Sequence, residues 1–239
     1  MKRTIDLNPE YKSTSLPEAV GGYVQEGLWS AVLIGELTKH GENENLADND
    51  TRVSWSQEFE LRDREIIEHT QRVTQMTLKL ARLMNVQEEE IGDIYRGALL
   101  HDIGKIDIPS EILYKPGPLT DEEWVVMRQH PVLAYELLSS IPALQSAIDI
   151  PYCHHEKWNG TGYPRGLKGD EIPLAARIFA VVDVWDALTS DRPYRKALPP
   201  EQVIEFILEE SGQHFDAQVV DAFMILLTAD QSPRTVISH

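Results

Sequence analysis

A single cysteine, Cys153, stands among 239 residues. No internal disulfide can therefore form, which suits a reducing compartment and leaves the core to hold the fold. No run of 18 or more apolar residues occurs, so a conventional spanning helix is excluded. Met1–Glu10 lacks the apolar stretch of a signal peptide. The chain is expected to be cytoplasmic, with no membrane contact. Basic residues are also scarce: 22 Lys plus Arg face 39 Asp plus Glu, a formal net charge of −17. That balance excludes a protein that grips a nucleic acid polymer through its phosphates. An anionic ligand would need metals or a few placed arginines. Repeats and low-complexity tracts are missing too. What is present, 42% hydrophobic and 26% charged residues, is the make-up of an ordinary globular protein. The length suffices for one large domain, or a domain with a smaller appendage.

Residues 1–58 read as a separate N-terminal segment to which the sequence assigns no task. Tyr11–Gly22 carries Ser, Pro and paired Gly, Leu28–Lys39 suits a short helix, and His40–Thr51 is polar and acidic like a linker. The second unit, 59–239, is helical in its periodicity throughout. Arg62–Met84 lines up Val73, Met76, Leu80 and Leu83, and Gln87–Asp102 lines up Ile91, Ile94, Ala98 and Leu99. Thr120 and Glu123 form a capping box before Trp124 and Met127. Pro131–Leu138, Ala143–Trp158 and Leu174–Thr189 are further helices, and Pro199 and Pro200 open another. The β-branched stretch from Arg177 to Val184 has strand propensity, but its apolar run continues through Leu188 and is too long for a buried strand. The expected fold class is all-α.

Extending the first stripe back from Val73 in steps of four reaches His69 and then Glu65, so an imidazole and a carboxylate share the inward face. Alone, His69 could be a core histidine satisfied by a carbonyl. The second helix ends in His101-Asp102-Ile103-Gly104-Lys105, donor types that suit divalent Fe, Mn, Zn or Mg. Gly104 is expected to let the backbone turn there. Lys105 can reach the same place without ligating. His130 precedes Pro131, where it could equally be a boundary residue. His154-His155 is a pair whose side chains diverge by about 100° on a helix, so each could serve a different one of two ions ~3.5–4 Å apart. Asp183 interrupts the apolar stretch Ile178–Val184, and a carboxylate there is costly unless paired or bound to metal. Asp186 lies nearly one turn further, on the same side, where it could support the ligands from behind. A separate structural excuse for each of these residues is a poor account of the whole ordered set.

These residues resemble the HD-GYP branch of the HD phosphohydrolase superfamily. The resemblance rests on His69-Thr70, His101-Asp102-Ile103-Gly104-Lys105, His130-Pro131, the long motif from His154 through Gly162-Tyr163-Pro164, and Asp183 to Arg195, and it covers about Leu61 to Leu227. It implies an all-helical metal-dependent phosphodiesterase that opens cyclic di-GMP to pGpG and on to GMP in many members, with cyclic GMP-AMP preferred by some. The implied ligands are His69, His101, Asp102, His130, His154, His155 and Asp183, with Asp102 bridging two divalent ions, Fe or Mn, and Glu65 available for a third. Asn159 stands where the family usually has Asp, and the segment before Glu58 matches no regulatory domain.

Ligand chemistry and resemblance together imply a water activated between the ions. Asp102 and Lys105 would be the catalytic residues, Lys105 stabilising charge on the phosphoryl oxygens. Substrate would be held by Arg192 and Arg195, whose forks suit paired oxygens, by Asp186, and by Tyr163. A solvated basic patch and a structural tyrosine are the plainer readings of the arginines and of Tyr163. The Gly-Tyr-Pro loop would also suit diguanylate cyclases or other signalling proteins as partners, and a homodimer is open. The alternatives are an HD phosphohydrolase acting on another cyclic or linear nucleotide, and a non-catalytic cyclic di-GMP receptor.

Overall fold

The computed structural model describes residues 57–231 apart from 114, 116 and 192–195, with side chains described from 67 to 229. The expected Leu28–Lys39 helix and the acidic linker lie outside the described residues. Within them the architecture is all-α and no strand forms. The first helix, α1 (Gln57–Leu83), buries Val73, Leu80 and Ala81 completely. It ends where Asn85 takes a positive φ of 58° and Val86 N–H reaches back to the Ala81 carbonyl, a closure that leaves no helical hydrogen bond for the next residue. The helix α2 (Glu88–Leu99) opens with three glutamates against its positive end and packs Ile91, Ile94 and Ala98 onto α1.

After α2 a short 3₁₀ turn, Ile103–Asp107, runs against a later helix. Gly104 there does not serve as a flexible turn. A Cβ on it would sit 2.0 Å from the His130 carbonyl oxygen, so glycine is required for backbone to approach backbone. Short helices α3 (Ser110–Leu113) and α4 (Asp121–Met127) follow, and the Thr120/Glu123 capping box forms as expected. The helix α5 (His130–Ser139) carries Pro131 in its first turn.

The expected helix over Ala143–Trp158 is broken instead into a 3₁₀ segment, Pro142–Ala147, and α6 (Asp149–Cys153). Pro151 has no N–H to give to Ala147, and its ring would press on that carbonyl, so a helix containing it must begin close before it. The two longest apolar runs become α7 (Leu174–Thr189) and α9 (Ala217–Gln231), with α8 (Pro200–Glu209) between them. Ile178, Phe179, Val181 and Val182 of α7 join Val219, Val220 and Phe223 of α9 and the α1 stripe in one core. None of the described helices is long and apolar enough to cross a membrane.

Candidate metal centre

Five elements deliver polar groups to one place at the margin of this core. His69 sits mid-α1 and Asp183 mid-α7; His101 and Asp102 follow α2; His130 opens α5; His154 and His155 follow α6. Each arrives either on an inward helical face or at a helix end, where the chain can turn a side chain toward its neighbours. His69, His101, His130 and His154 are all buried.

The ligand-type atoms fall into two triads, His69/His101/Asp183 and His130/His154/His155, and within each triad they lie within 4.8 Å of one another. Asp102 stands between them. Its Oδ2 is 3.2 Å from His101 Nε2, and its Oδ1 is 3.5 Å from His130 Nε2 and 3.9 Å from His154 Nε2. One carboxylate thus turns an oxygen to each triad. His154 and His155 were expected to serve separate ions, but the structure groups both with His130. The helix stops at Cys153, and off the helix the two rings come within 4.0 Å of each other instead of diverging.

Hydrogen bonding fixes which ring nitrogens face inward. His101, His130 and His154 place Nδ1 at 2.9, 2.9 and 3.0 Å from the carbonyl oxygens of Ala98, Met127 and Ile150. A carbonyl only accepts, so Nδ1 carries the proton and Nε2 is left for the centre. His130 Nε2 and His154 Nε2 face each other at 3.4 Å, and His155 Nε2 is buried with no hydrogen-bond partner. Nitrogens arranged in this way suit a shared cation, and the donor set fits divalent metals.

The electrostatics of the second triad agree with that fit. Burial, then the neighbouring imidazoles, hold His154 and His155 well below the ordinary histidine range, so both are neutral donors at pH 7. Burial opposes charge on His101, but the adjacent Asp102 outweighs it and raises that imidazole. Asp102 is half-buried and its partial desolvation opposes charge, yet Lys105, His101 and His130 keep it ionised, and Lys105 Nζ donates to its Oδ2 at 2.9 Å. Cys153 is in neither triad, and burial pushes its thiol up to about 12.

His69 is oriented differently. Its Nε2 is 3.4 Å from Asp183 Oδ1, while its Nδ1 lies 2.7 Å from Asp186 Oδ2. Asp186 was expected to contact substrate, but both of its oxygens are engaged by the protein. Arg72 Nε donates to Oδ1 at 2.6 Å and an Arg72 terminal nitrogen to Oδ2 at 2.9 Å. The Glu65 backbone lies in α1 one turn before His69, but its side chain is outside the described residues, as are Arg192 and Arg195.

The loop after His155 is built by a residue to which the sequence assigned no task. Glu156, 2% exposed, accepts the backbone N–H groups of Arg165 and Leu167 at 2.8 and 3.0 Å. Gly162 lies so close to this segment that a Cβ would come within 2.3 Å of the Lys157 nitrogen. Asn159 Oδ1 accepts from both Thr161 N and Thr161 Oγ1. That work needs only an acceptor oxygen, which an Asn supplies as an Asp would. The folded loop lays the Tyr163 ring on His155, centroids 4.7 Å apart and planes 21° apart. Arg72 was legible in principle, three residues past His69 on the same face. Glu156 carries no such spacing signal.

The HD domain profile matches residues 54–219. A cyclic di-GMP phosphodiesterase of Thermotoga maritima is 44% identical over 169 residues, covering 70% of this chain and 46% of that protein. A 3′3′-cGAMP-specific phosphodiesterase of Vibrio cholerae is 41% identical over 167 residues, covering 69% of this chain and 32% of the relative. This chain therefore spans about half or less of the length of these relatives. Among solved structures, an HDG"Y"P protein from Bdellovibrio bacteriovorus superposes with a TM-score of 0.56 at 19% identity, over 86% of this chain and 63% of the other. That likeness is one of fold.

Proposed function

Because the chain belongs to the HD domain family, we propose that it is a metal-dependent phosphodiesterase that hydrolyses cyclic di-GMP to pGpG. The reading is carried by one observation, the two triads joined by the two oxygens of Asp102. Relatives named cyclic di-GMP phosphodiesterases, 40–46% identical to this chain, support the substrate.

An HD domain implies divalent metal. Here His69, His101 and Asp183 would hold one ion and His130, His154 and His155 another, with Asp102 shared. Imidazole and carboxylate donors without thiolate favour iron or manganese. Bound there, such ions supply Lewis acidity and an activated water to phosphodiester hydrolysis.

The chain's own groups do the rest. The backbone carbonyls of Ala98, Met127 and Ile150 hold three imidazoles in the tautomer that turns Nε2 inward. Lys105, beside Asp102, is placed to offset charge growing on phosphoryl oxygens brought to that carboxylate. Tyr163 walls one side of the centre by covering the His155 ring. Arg192 and Arg195 complete the set as phosphate holders on sequence grounds.

A second reading, preference for 3′3′-cGAMP, is favoured by the Vibrio cholerae relatives so named. The test is anaerobic purification, metal analysis, and chromatography of products from both cyclic dinucleotides. pGpG formed in proportion to bound metal, and stopped by chelation, supports the main reading. Turnover of 3′3′-cGAMP alone selects the second. A protein holding two metals per chain that cuts neither overturns both.

A further inference from the structure

In a chain of net charge −17, most described arginines are spent on carboxylates. Arg72 pairs with Asp186, Arg82 with Glu88, Arg96 with Asp93, and Arg177 with Asp216. Arg128, which caps the C-terminus of α4, is different. Its guanidinium carbon lies 5.7 Å from the Trp124 ring centroid and 5.5 Å from that of Tyr163. Among the described residues no carboxylate lies within ion-pair distance of it. The Tyr163 ring in turn lies on His155, so a single aromatic ring separates this cation from a residue of the second triad.

The arrangement has a chemical consequence. Rings stacked against a guanidinium fix its orientation through its π-face and leave its N–H edge for other acceptors. A lysine in the same place would be a point charge without that fork. A cyclic dinucleotide with one phosphodiester at the metal centre still presents acceptor pairs elsewhere. These are the two oxygens of its second phosphodiester and the O6/N7 edges of its guanines, and both kinds match a guanidinium fork.

We propose that Arg128 is a specificity-determining residue, which binds an acceptor pair on the half of the cyclic dinucleotide that is not being cut. This rests on the phosphodiesterase reading above. Tyr163 then does two things at once, covering His155 on one side and seating Arg128 for substrate on the other.

The test uses the metal-loaded full chain and compares wild type, Arg128→Ala and Arg128→Lys. Substrates are cyclic di-GMP, 3′3′-cGAMP, cyclic di-AMP and bis(p-nitrophenyl) phosphate, a small diester that reaches only the centre. Arg128 is exposed, so neither variant endangers the core. Arg128→Ala is expected to raise KM for cyclic di-GMP about tenfold or more, a loss well beyond that on the small diester. Arg128→Lys is expected to remain impaired. An effect confined to guanine-containing substrates assigns the fork to a base edge; an equal effect on all three cyclic dinucleotides assigns it to the second phosphate. Equal losses on the small diester and on cyclic di-GMP would make Arg128 a prop for the loop and overturn the proposal, as would an unchanged KM for every cyclic dinucleotide. Failure of the phosphodiesterase reading looks different. Metal-loaded wild type would then cut the small diester and no cyclic dinucleotide, and this inference would fall with it.

Discussion

Asp186 Oδ2 and His69 Nδ1 meet at 2.7 Å although 117 residues separate them, and this contact sets how α1 presents an imidazole to the first triad. Arg72, forked onto Asp186, holds the carboxylate in turn. Burial works to raise the Asp186 carboxyl, but the hydrogen bonds from His69 and Arg72 outweigh it and bring it down to about 2. It is therefore ionised at any working pH, and a charged acceptor on Nδ1 strengthens Nε2 as a ligand. Asp186→Asn keeps the shape and removes the charge. It should weaken metal binding at the first triad about 10- to 100-fold, read by metal titration of the purified variant. Unaltered metal affinity would show that His69 needs no such orienter.

Asp183 is the only carboxylate of the first triad, and its Oδ1 lies 3.4 Å from His69 Nε2. Asp183→Ala leaves two imidazoles and only a share of the Asp102 charge to balance a divalent ion. Metal content and cyclic di-GMP turnover should fall together in that variant. Retention of both would remove Asp183 from the ligand set.

Lys105 should separate metal loading from chemistry. Its Nζ touches Asp102 but ligates nothing, so Lys105→Met is expected to retain both ions while kcat drops by about 10²–10³-fold. Metal analysis beside steady-state kinetics checks this. Loss of metal in Lys105→Met would make its role architectural.

Asp183 and His69 were legible because each broke a local rule, an acid in an apolar helix and a histidine on a core-facing stripe, whereas His101, Asp102, His130, His154 and His155 were legible only as members of an ordered set. Helix α7 was legible to the residue, since its apolar run fits nothing shorter. The grouping of the donors was not legible, because it depends on where helices end. The helix α6 ends at Cys153, and His154 and His155, beyond that end, fall into one triad. Gly104 was misread for a related reason. A sequence shows a glycine but not the His130 carbonyl that it must admit. Asp186 was read on the correct face, and its contacts with Arg72 and His69 put it behind an imidazole of the first triad.

Glu156 offers a test of the loop apart from the metals. Its two oxygens accept from Arg165 N and Leu167 N in a buried setting. Glu156→Gln retains one acceptor and turns an amide against the other N–H. The expected cost is about 1–3 kcal/mol, visible as a lowered midpoint in chemical denaturation. Tyr163 should lose its fixed place on His155, so KM for cyclic di-GMP should rise as well. A variant as stable as wild type would show that the loop is held elsewhere, for instance by Trp158 N on the His214 carbonyl.

His214 gives the pH dependence of stability. Its ring stacks on Phe215 with centroids 4.2 Å apart, and its Nδ1 is buried without a hydrogen-bond partner. Burial, then the charge of Lys157, lowers its pKa from 6.5 to about 3. Between those values the unfolded chain binds a proton that the folded chain refuses. Acidification through this window therefore favours unfolding, and above pH 6.5 the effect is absent. The loss should reach a few kcal/mol near pH 3. His214→Phe preserves the stacking and has nothing to protonate, so its unfolding free energy should fall less steeply than that of wild type from pH 6.5 downward. Denaturant titrations of both proteins across that range decide the matter, and parallel curves would mean that His214 accepts its proton in the folded state.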